Sequence, residues 1–174
     1  MTNRGSKATV TGVSDRARAP AVRVRPVVVR DVPAVVELVR AVLAEFGLRF
    51  GEGSKTDDEL TRLPPSYADH GGAFWVAADE AGLLLGTCGV FPVAPGHYEL
   101  RKMYLHPRSR GLGLGKRLLD EAVAWTRARG GRALVLDTTE QMERAIAFYE
   151  ANGFVRDDAQ VRGSRCSRGY RREL

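Results

Sequence analysis

Apolar positions along this chain change period several times, and each change marks an element. Val22 to Val29 alternates valine with arginine before becoming continuously apolar, which predicts a first strand. Asp31 then caps a helix with Pro33 in its first turn, and Val35, Leu38, Val39, Val42, Leu43 and Phe46 recur at helical spacing until Gly47. A polar stretch to Lys55 leads into a short second helix, opened by the capping box Thr56-x-x-Glu59 and stopped at Pro64-Pro65. Phe74 to Ala78, Leu83 to Val93 and Tyr98 to Leu105 read as three strands, joined by turns at Asp79 to Gly82 and Pro95-Gly96. Leu114, Leu118, Ala122 and Trp125 share one face of a third helix that Gly130-Gly131 closes. Ala133 to Asp137 is a fifth strand. A second capping box, Thr138-x-x-Gln141, opens a last helix that ends at Asn152-Gly153, and a strand pair around Phe154 and Cys166 to Arg171 completes the chain.

The predicted order is β-α-α-β-β-β-α-β-α-β-β, an α/β (α+β) chain. The third helix must connect strands four and five as a right-handed crossover, so those two are expected to be parallel; the earlier hairpin-linked strands are antiparallel. With 174 residues, 44% of them apolar, the chain can bury one sizeable core, and residues 21–174 read as a single domain. Residues 1–20 show neither periodicity nor a hydrophobic run with a cleavage site, and read as a disordered basic arm and not a signal peptide.

Charge and cysteines narrow the class. The net charge is +6, and it sits at the ends: residues 1–30 hold seven Lys/Arg against one Asp, and residues 156–174 hold six Arg against three acids. The interior is therefore net acidic, no nucleic-acid motif is visible, and solvated termini explain the imbalance better than a nucleic-acid partner. The most apolar stretch, Leu83 to Ala94, is interrupted by Gly86, Gly89 and Pro92 and is too short to span a membrane. Cys88 and Cys166 form no metal-ligand spacing and fit a reducing cytoplasm. His70, His97 and His106 are scattered, so no metal site is expected.

The chemistry concentrates in Met103 to Leu119, MYLHPRSRGLGLGKRLL, where a strand end runs through a glycine loop into an amphipathic helix. Gly111, Gly113 and Gly115 leave the backbone open to close approach, and the unpaired N–H groups of a first helical turn attract anions. Arg110 and Lys116 flank the turn with positive charge, which suits a pyrophosphate. A nucleoside-triphosphate P-loop is excluded, because Arg stands at both 110 and 117 where glycine and a hydroxyl residue are needed. A dinucleotide fingerprint is excluded because the glycines alternate at 111, 113 and 115.

The remaining pattern, Arg-x-x-Gly-x-Gly at Arg110, Gly113 and Gly115, resembles motif A of the GCN5-related N-acetyltransferases. LVLDT at Leu134 to Thr138 and AIAFYEANGF at Ala145 to Phe154 resemble that family's fifth strand and last helix. The resemblance implies a mixed, mostly antiparallel sheet whose fourth and fifth strands splay to admit the pantetheine arm of acetyl-CoA. It implies that Met103, Tyr104 and Leu105 contact pantetheine, and that Arg110, Gly111, Leu112, Gly113, Leu114, Gly115 and Lys116 hold the pyrophosphate. A backbone N–H near Met103 would polarise the thioester carbonyl.

Two residues are candidates for proton transfer on the same ground. Glu99 occupies the strand-four position where some relatives place a general base, with Arg101 two residues on as either its ion-pair partner or an anchor for an acceptor carboxylate. Tyr149 falls where the family often keeps the tyrosine that protonates the coenzyme A thiolate, although Met142, Ala145, Ile146 and Tyr149 also share a helical face that could be core. Phe50, Glu52 and Tyr67 lie in the segment that usually walls the acceptor pocket. The expected activity is acetyl transfer to the primary amine of a small metabolite by direct attack in a ternary complex. A protein N-terminus or aminoacyl-tRNA as acceptor, and a non-catalytic acetyl-CoA sensor, are the alternatives. Family analogy leaves a homodimer open.

Overall fold

In the computed structural model, which describes residues 21–174, seven strands form one open sheet. They are β1 (Arg23–Pro26), β2 (Ala73–Ala78), β3 (Leu84–Ala94), β4 (His97–Leu105), β5 (Ala133–Thr138), β6 (Val155–Arg156) and β7 (Arg168–Glu173). Their spatial order is β1-β2-β3-β4-β5-β7-β6, and every neighbouring pair is antiparallel except β4 and β5. Four α-helices accompany the sheet among the described residues: α1 (Val32–Ala44), α2 (Pro65–Ala68), α3 (Leu114–Ala128) and α4 (Glu143–Ala151). The basic arm expected at residues 1–20 lies outside the described residues.

Both faces of the sheet are buried, which explains why the central strands are nearly continuous in apolar residues. On one face α3 and α4 cover Trp75, Ala77, Leu100, Leu134 and Leu136 with Leu114, Leu118, Leu119, Ala122, Ile146 and Tyr149. On the other, Val35, Val39 and Leu43 of α1 join Leu60, Leu63 and Tyr67 over Phe74, Val76 and Ala78. Adjacent β2 residues thus feed opposite layers, as a period of two requires.

Three local details differ from the sequence reading. The second helix expected from the Thr56 box is a 3₁₀ turn at Asp58–Arg62 that does end before Pro64, but Pro65 then opens a further short helix, α2. Proline's fixed φ and missing N–H suit that position as well as they suit a stop. The last helix starts at Glu143 and not at the Thr138 box, because Thr138 still pairs with Arg168 as the end of β5. The first strand ends at Pro26, where the chain turns through a 3₁₀ segment at Val29–Asp31. Asp31 fixes that turn by accepting from the Val28 amide at 2.9 Å while pairing with Arg25 at 2.6 Å.

The parallel pair sets up the site. β4 and β5 are in register only at His97↔Ala133, Tyr98↔Leu134 and Glu99↔Val135. Beyond Glu99 the two strands part, so the β5-facing edge of β4 has no strand partner from Leu100 onward.

Candidate active site

A cleft of about 760 Å³ opens where β4 and β5 separate. β4 contributes Glu99 to Tyr104, β5 and its exit contribute Asp137 to Thr139, and α4 adds Ala145 and Tyr149. Two loops complete it, one running through Gly51 to Thr56 and the other, before β7, through Arg162 to Cys166.

β4 carries a bulge at the centre of this cleft. Gly89 pairs with Arg101 and Thr87 with Tyr104, so Cys88 alone faces both Lys102 and Met103. Lys102 takes φ +53°, the left-handed region, and the Thr87 hydroxyl holds its carbonyl at 2.8 Å. The bulge reverses the alternation of side chains. Arg101 and Lys102 both meet the layer below α1, after which Met103 and Leu105 pack with the α3 layer and Tyr104 with the α1 layer. Glu99 and Arg101 precede the bulge and therefore share a face, as expected.

The Glu99 side chain is 7% exposed, and Arg101 Nε donates to its Oε2 at 2.6 Å while Arg162 approaches the same oxygen at 3.7 Å. Oε1 accepts no hydrogen bond among the described residues. Arg101 also reaches Glu59 at 3.2 Å and lies 4.1 Å over the Phe91 ring. Tyr149 packs edge-on against Phe148 and Phe154 and lines the cleft. Burial pushes its phenol pKa up, so the hydroxyl stays protonated through neutral pH.

At the far end of β4, His106 and a 3₁₀ turn at Pro107–Ser109 lead into the glycine loop. Gly111 and Gly113 adopt φ +77° and +75°, and a Cβ at either would meet only open space, so backbone conformation and not crowding demands glycine there. Gly115 has the opposite reason: a Cβ would sit 3.3 Å from Leu105 and 3.6 Å from Phe148, which seats α3 against β4 and α4. The first backbone N–H in this stretch to meet a carbonyl is that of Arg117, onto Gly113 at 3.2 Å. Those of Gly111 to Lys116 find no backbone acceptor among the described residues. The cradle is therefore made of main-chain donors at the start of α3. The flanking cations are already engaged. Arg110 grips Glu45 of the α1 end through two bonds of 2.6 and 2.8 Å and the Leu105 carbonyl at 3.1 Å, and Lys116 pairs with Asp120.

Sequence reading missed a buried ionic cluster under the acceptor side. Asp57 is fully buried and accepts from Arg165 at 2.9 and 3.1 Å, from the Gly51 amide at 2.8 Å, and from Lys102. Burial alone would raise the Asp57 pKa, but Arg165 and Lys102 outweigh it and hold the carboxyl below its usual range. Burial lowers the Lys102 pKa, and Asp57 offsets that only in part. Nearby, burial pushes the Tyr104 phenol up to about 12. The cluster also ties loops together: Arg165 N–H and Ser164 Oγ both reach the Gly53 carbonyl at 3.3 Å, and Asp137 on β5 accepts the Arg162 and Gly163 amides at 2.8 Å. The segment before β7 is thus a strap that joins the two walls of the cleft.

Other expected acceptor residues fall elsewhere. Tyr67 is core, stacked edge-on with Phe74 and Phe91, and its buried hydroxyl has no hydrogen-bond partner among the described residues. Phe50 packs beside α1 under Arg40, and Glu52 is exposed.

This arrangement has counterparts. The model of the acetyltransferase (GNAT) family matches residues 38–154, from α1 through α4 to the chain that follows it. The chain belongs to the GCN5-related N-acetyltransferases. An uncharacterized N-acetyltransferase of Escherichia coli, YjgM, is 37% identical over 134 residues, covering 75% of this chain and 80% of that one. Two solved structures share the fold. A GNAT-family acetyltransferase of Staphylococcus aureus superposes with a TM-score of 0.82 at 23% identity, over 88% of this chain and 99% of its own. The PaiA N-acetyltransferase of Thermoplasma acidophilum, solved in complex with coenzyme A, gives 0.71 at 20% identity, over 88% and 99%.

The protein is accordingly an acyltransferase whose cosubstrate is acetyl-CoA, and its own geometry fits that molecule. A pyrophosphate needs clustered donors, which the Gly111 to Lys116 amides supply, and a pantetheine arm needs an unpaired strand edge, which β4 supplies beyond Glu99. The bound thioester brings an acetyl group already activated for transfer. Among the described residues no helix is long and apolar enough to cross a membrane, and no His/Cys/Asp/Glu cluster could hold a metal ion.

Proposed function

We propose that this acetyltransferase acetylates the primary amine of a small metabolite by direct attack within a ternary complex. The observation that carries the reading is the continuity of one element. β4 leads on one side of its bulge to the main-chain cradle, and on the other to Glu99 in a cleft whose walls are strapped together by residues 162–166. A strapped cleft favours a small acceptor over a folded protein surface or a tRNA end.

In this reading Met103, Tyr104 and Leu105 present backbone to pantetheine, and the amides from Gly111 to Lys116 hold the pyrophosphate. Glu99 uses Oε1 to take the proton of the attacking amine, while Arg101 on Oε2 fixes its orientation. The Tyr149 hydroxyl donates a hydrogen bond to the departing sulfur. Complete transfer of its proton to a thiolate of ordinary pKa, about 8.5, is uphill for a phenol raised by burial, so its contribution is stabilisation of developing charge. Cys88 and Cys166 are free thiols whose pKa values burial pushes up, Cys166 to about 12, which disfavours an acyl-cysteine route. Free cysteines also support a cytoplasmic setting.

The test is thiol release from acetyl-CoA across a broad panel of small amines, followed by initial-velocity analysis with the best acceptor. Intersecting lines are expected. Parallel lines would replace direct attack by an acyl-enzyme, and a panel without turnover would overturn the small-amine reading.

A further inference from the structure

We propose that the acceptor carries, besides its amine, an oxyanion that binds at Lys102 and Arg165; a carboxylate or a phosphate ester supplies the same chemistry. The inference deepens the acetyl-transfer reading above and rests on it.

Charge is unevenly shared at the bulge. Two cations, with side chains 4% and 12% exposed, share one carboxylate that is fully buried. The other acidic neighbour, Glu59, is engaged by Arg101. One unit of positive charge is therefore left in the wall of the cleft at low exposure, an arrangement that is costly unless a counter-charge arrives. Lys102 places two of its three N–H donors, on Asp57 and on Ser54 Oγ at 3.2 Å, which leaves one without a protein acceptor among the described residues. The lowered pKa of Lys102 has the same origin, since Asp57 is shared with Arg165 and cannot fully compensate burial.

Three residues earlier on the same strand the sign is opposite. Arg101 faces two carboxylates, Glu99 and Glu59, and the balancing Arg162 is 3.7 Å from Glu99 and 43% exposed. The cleft is thus dipolar along β4, with the acidic end at Glu99 and the basic end three residues away across the bulge. A ligand with amine and oxyanion on one short skeleton matches both ends. The bulge creates this match, because an unbulged strand would send Lys102 to the other layer.

Matched acceptor pairs test it. Thiol release is measured with α-, β- and γ-amino acids against their carboxamides, and with phosphoethanolamine against ethanolamine. At least one anionic member is expected to exceed its neutral partner in kcat/KM by tenfold or more. That ratio should fall toward one in Lys102→Met and persist in Lys102→Arg. If Lys102→Met does not fold, Arg165→Gln carries the same comparison. A second readout needs no turnover: calorimetry of the N-acetylated products, acids against amides, on protein saturated with coenzyme A should show the same preference. Equal rates for acids and amides would overturn the oxyanion site while leaving acetyl transfer standing. If no acceptor turns over, the transfer reading fails, and calorimetry decides the site: a tenfold preference for acids upholds it, and equal or absent binding overturns it.

Discussion

Replacing Asp57 by Asn would remove the one carboxylate that Lys102 and Arg165 share among the described residues while keeping the shape of the side chain. In the wild-type protein the carboxylate accepts four hydrogen bonds, two from Arg165 and one each from Lys102 and the Gly51 amide, and none of its surface is exposed. An amide has one acceptor oxygen and would turn an NH2 group toward cations that can only donate. Breaking a buried ion pair from one side costs about 3–5 kcal/mol, because the remaining charge is left without compensation. A domain of this size is stabilised by roughly 5–15 kcal/mol in total, so the loss is a large fraction. With a urea m-value of about 2 kcal/mol/M, the midpoint should fall by roughly 2 M. The double variant Asp57→Asn/Lys102→Met should recover part of this, since it removes one of the stranded cations. A midpoint within about 0.5 M of wild type for Asp57→Asn alone would refute the assignment of this cluster as a buried, mutually dependent unit.

Gly113→Glu introduces no clash, because the Cβ position is open, but it forces a non-glycine residue to φ +75° at a cost of about 1–2 kcal/mol and sets a carboxylate beside the cradle amides. Calorimetry should show acetyl-CoA affinity falling at least 100-fold in a protein that still unfolds cooperatively. Tyr149→Phe removes a hydroxyl that forms no side-chain hydrogen bond within the described residues, so stability should move by less than about 1 kcal/mol while kcat falls roughly 10- to 100-fold with little change in KM; an unchanged kcat would remove Tyr149 from the mechanism. Acid titration gives a further check. Asp57 and Asp31 both have folded pKa values below their unfolded ones, so their stabilisation is fully present above about pH 4 and is lost as pH falls through the folded values. Asp57→Asn should flatten that acid limb of the urea-midpoint profile.

Much of this molecule is legible locally. The apolar runs of β2 and β3, the helical stripe of α3 and the alternating glycines before it are each read from a few neighbouring residues, and each corresponds to an element of the structure. The parallel β4/β5 pair follows from the crossover helix between them. What escaped is what depends on partners far along the chain. Arg110 carries a formal charge next to a pyrophosphate cradle, yet its guanidinium is held by Glu45, 65 residues earlier. Nothing in TDDE marks Asp57 rather than Asp58 as the buried acid, because the choice is made by Arg165, 108 residues later. Tyr67 lies in the segment that usually walls the acceptor pocket, but core packing is its default reading, and the structure places it in the core beneath Phe91.

The bulge at Lys102 is the instructive case. A strict alternation through β4 puts Glu99, Arg101, Met103 and Leu105 on one face, with Lys102 among apolar residues on the other, and so gives lysine no reason to be there. One residue in the left-handed region resolves the conflict: Lys102 joins Arg101 toward the polar side, and Met103 and Leu105 drop into the apolar layer with α3. The strained residue is thus required by the composition of the strand itself, and the Thr87 hydroxyl on its carbonyl offsets part of the cost. The same turn of the backbone interrupts the ladder with β3 at the centre of the cleft and brings a buried cation to its wall. In the proposed reading one residue bears on both the cofactor edge and the acceptor, so a change that straightens β4 should alter affinity for both substrates together, whereas loss of the lysine charge alone should alter only the acceptor.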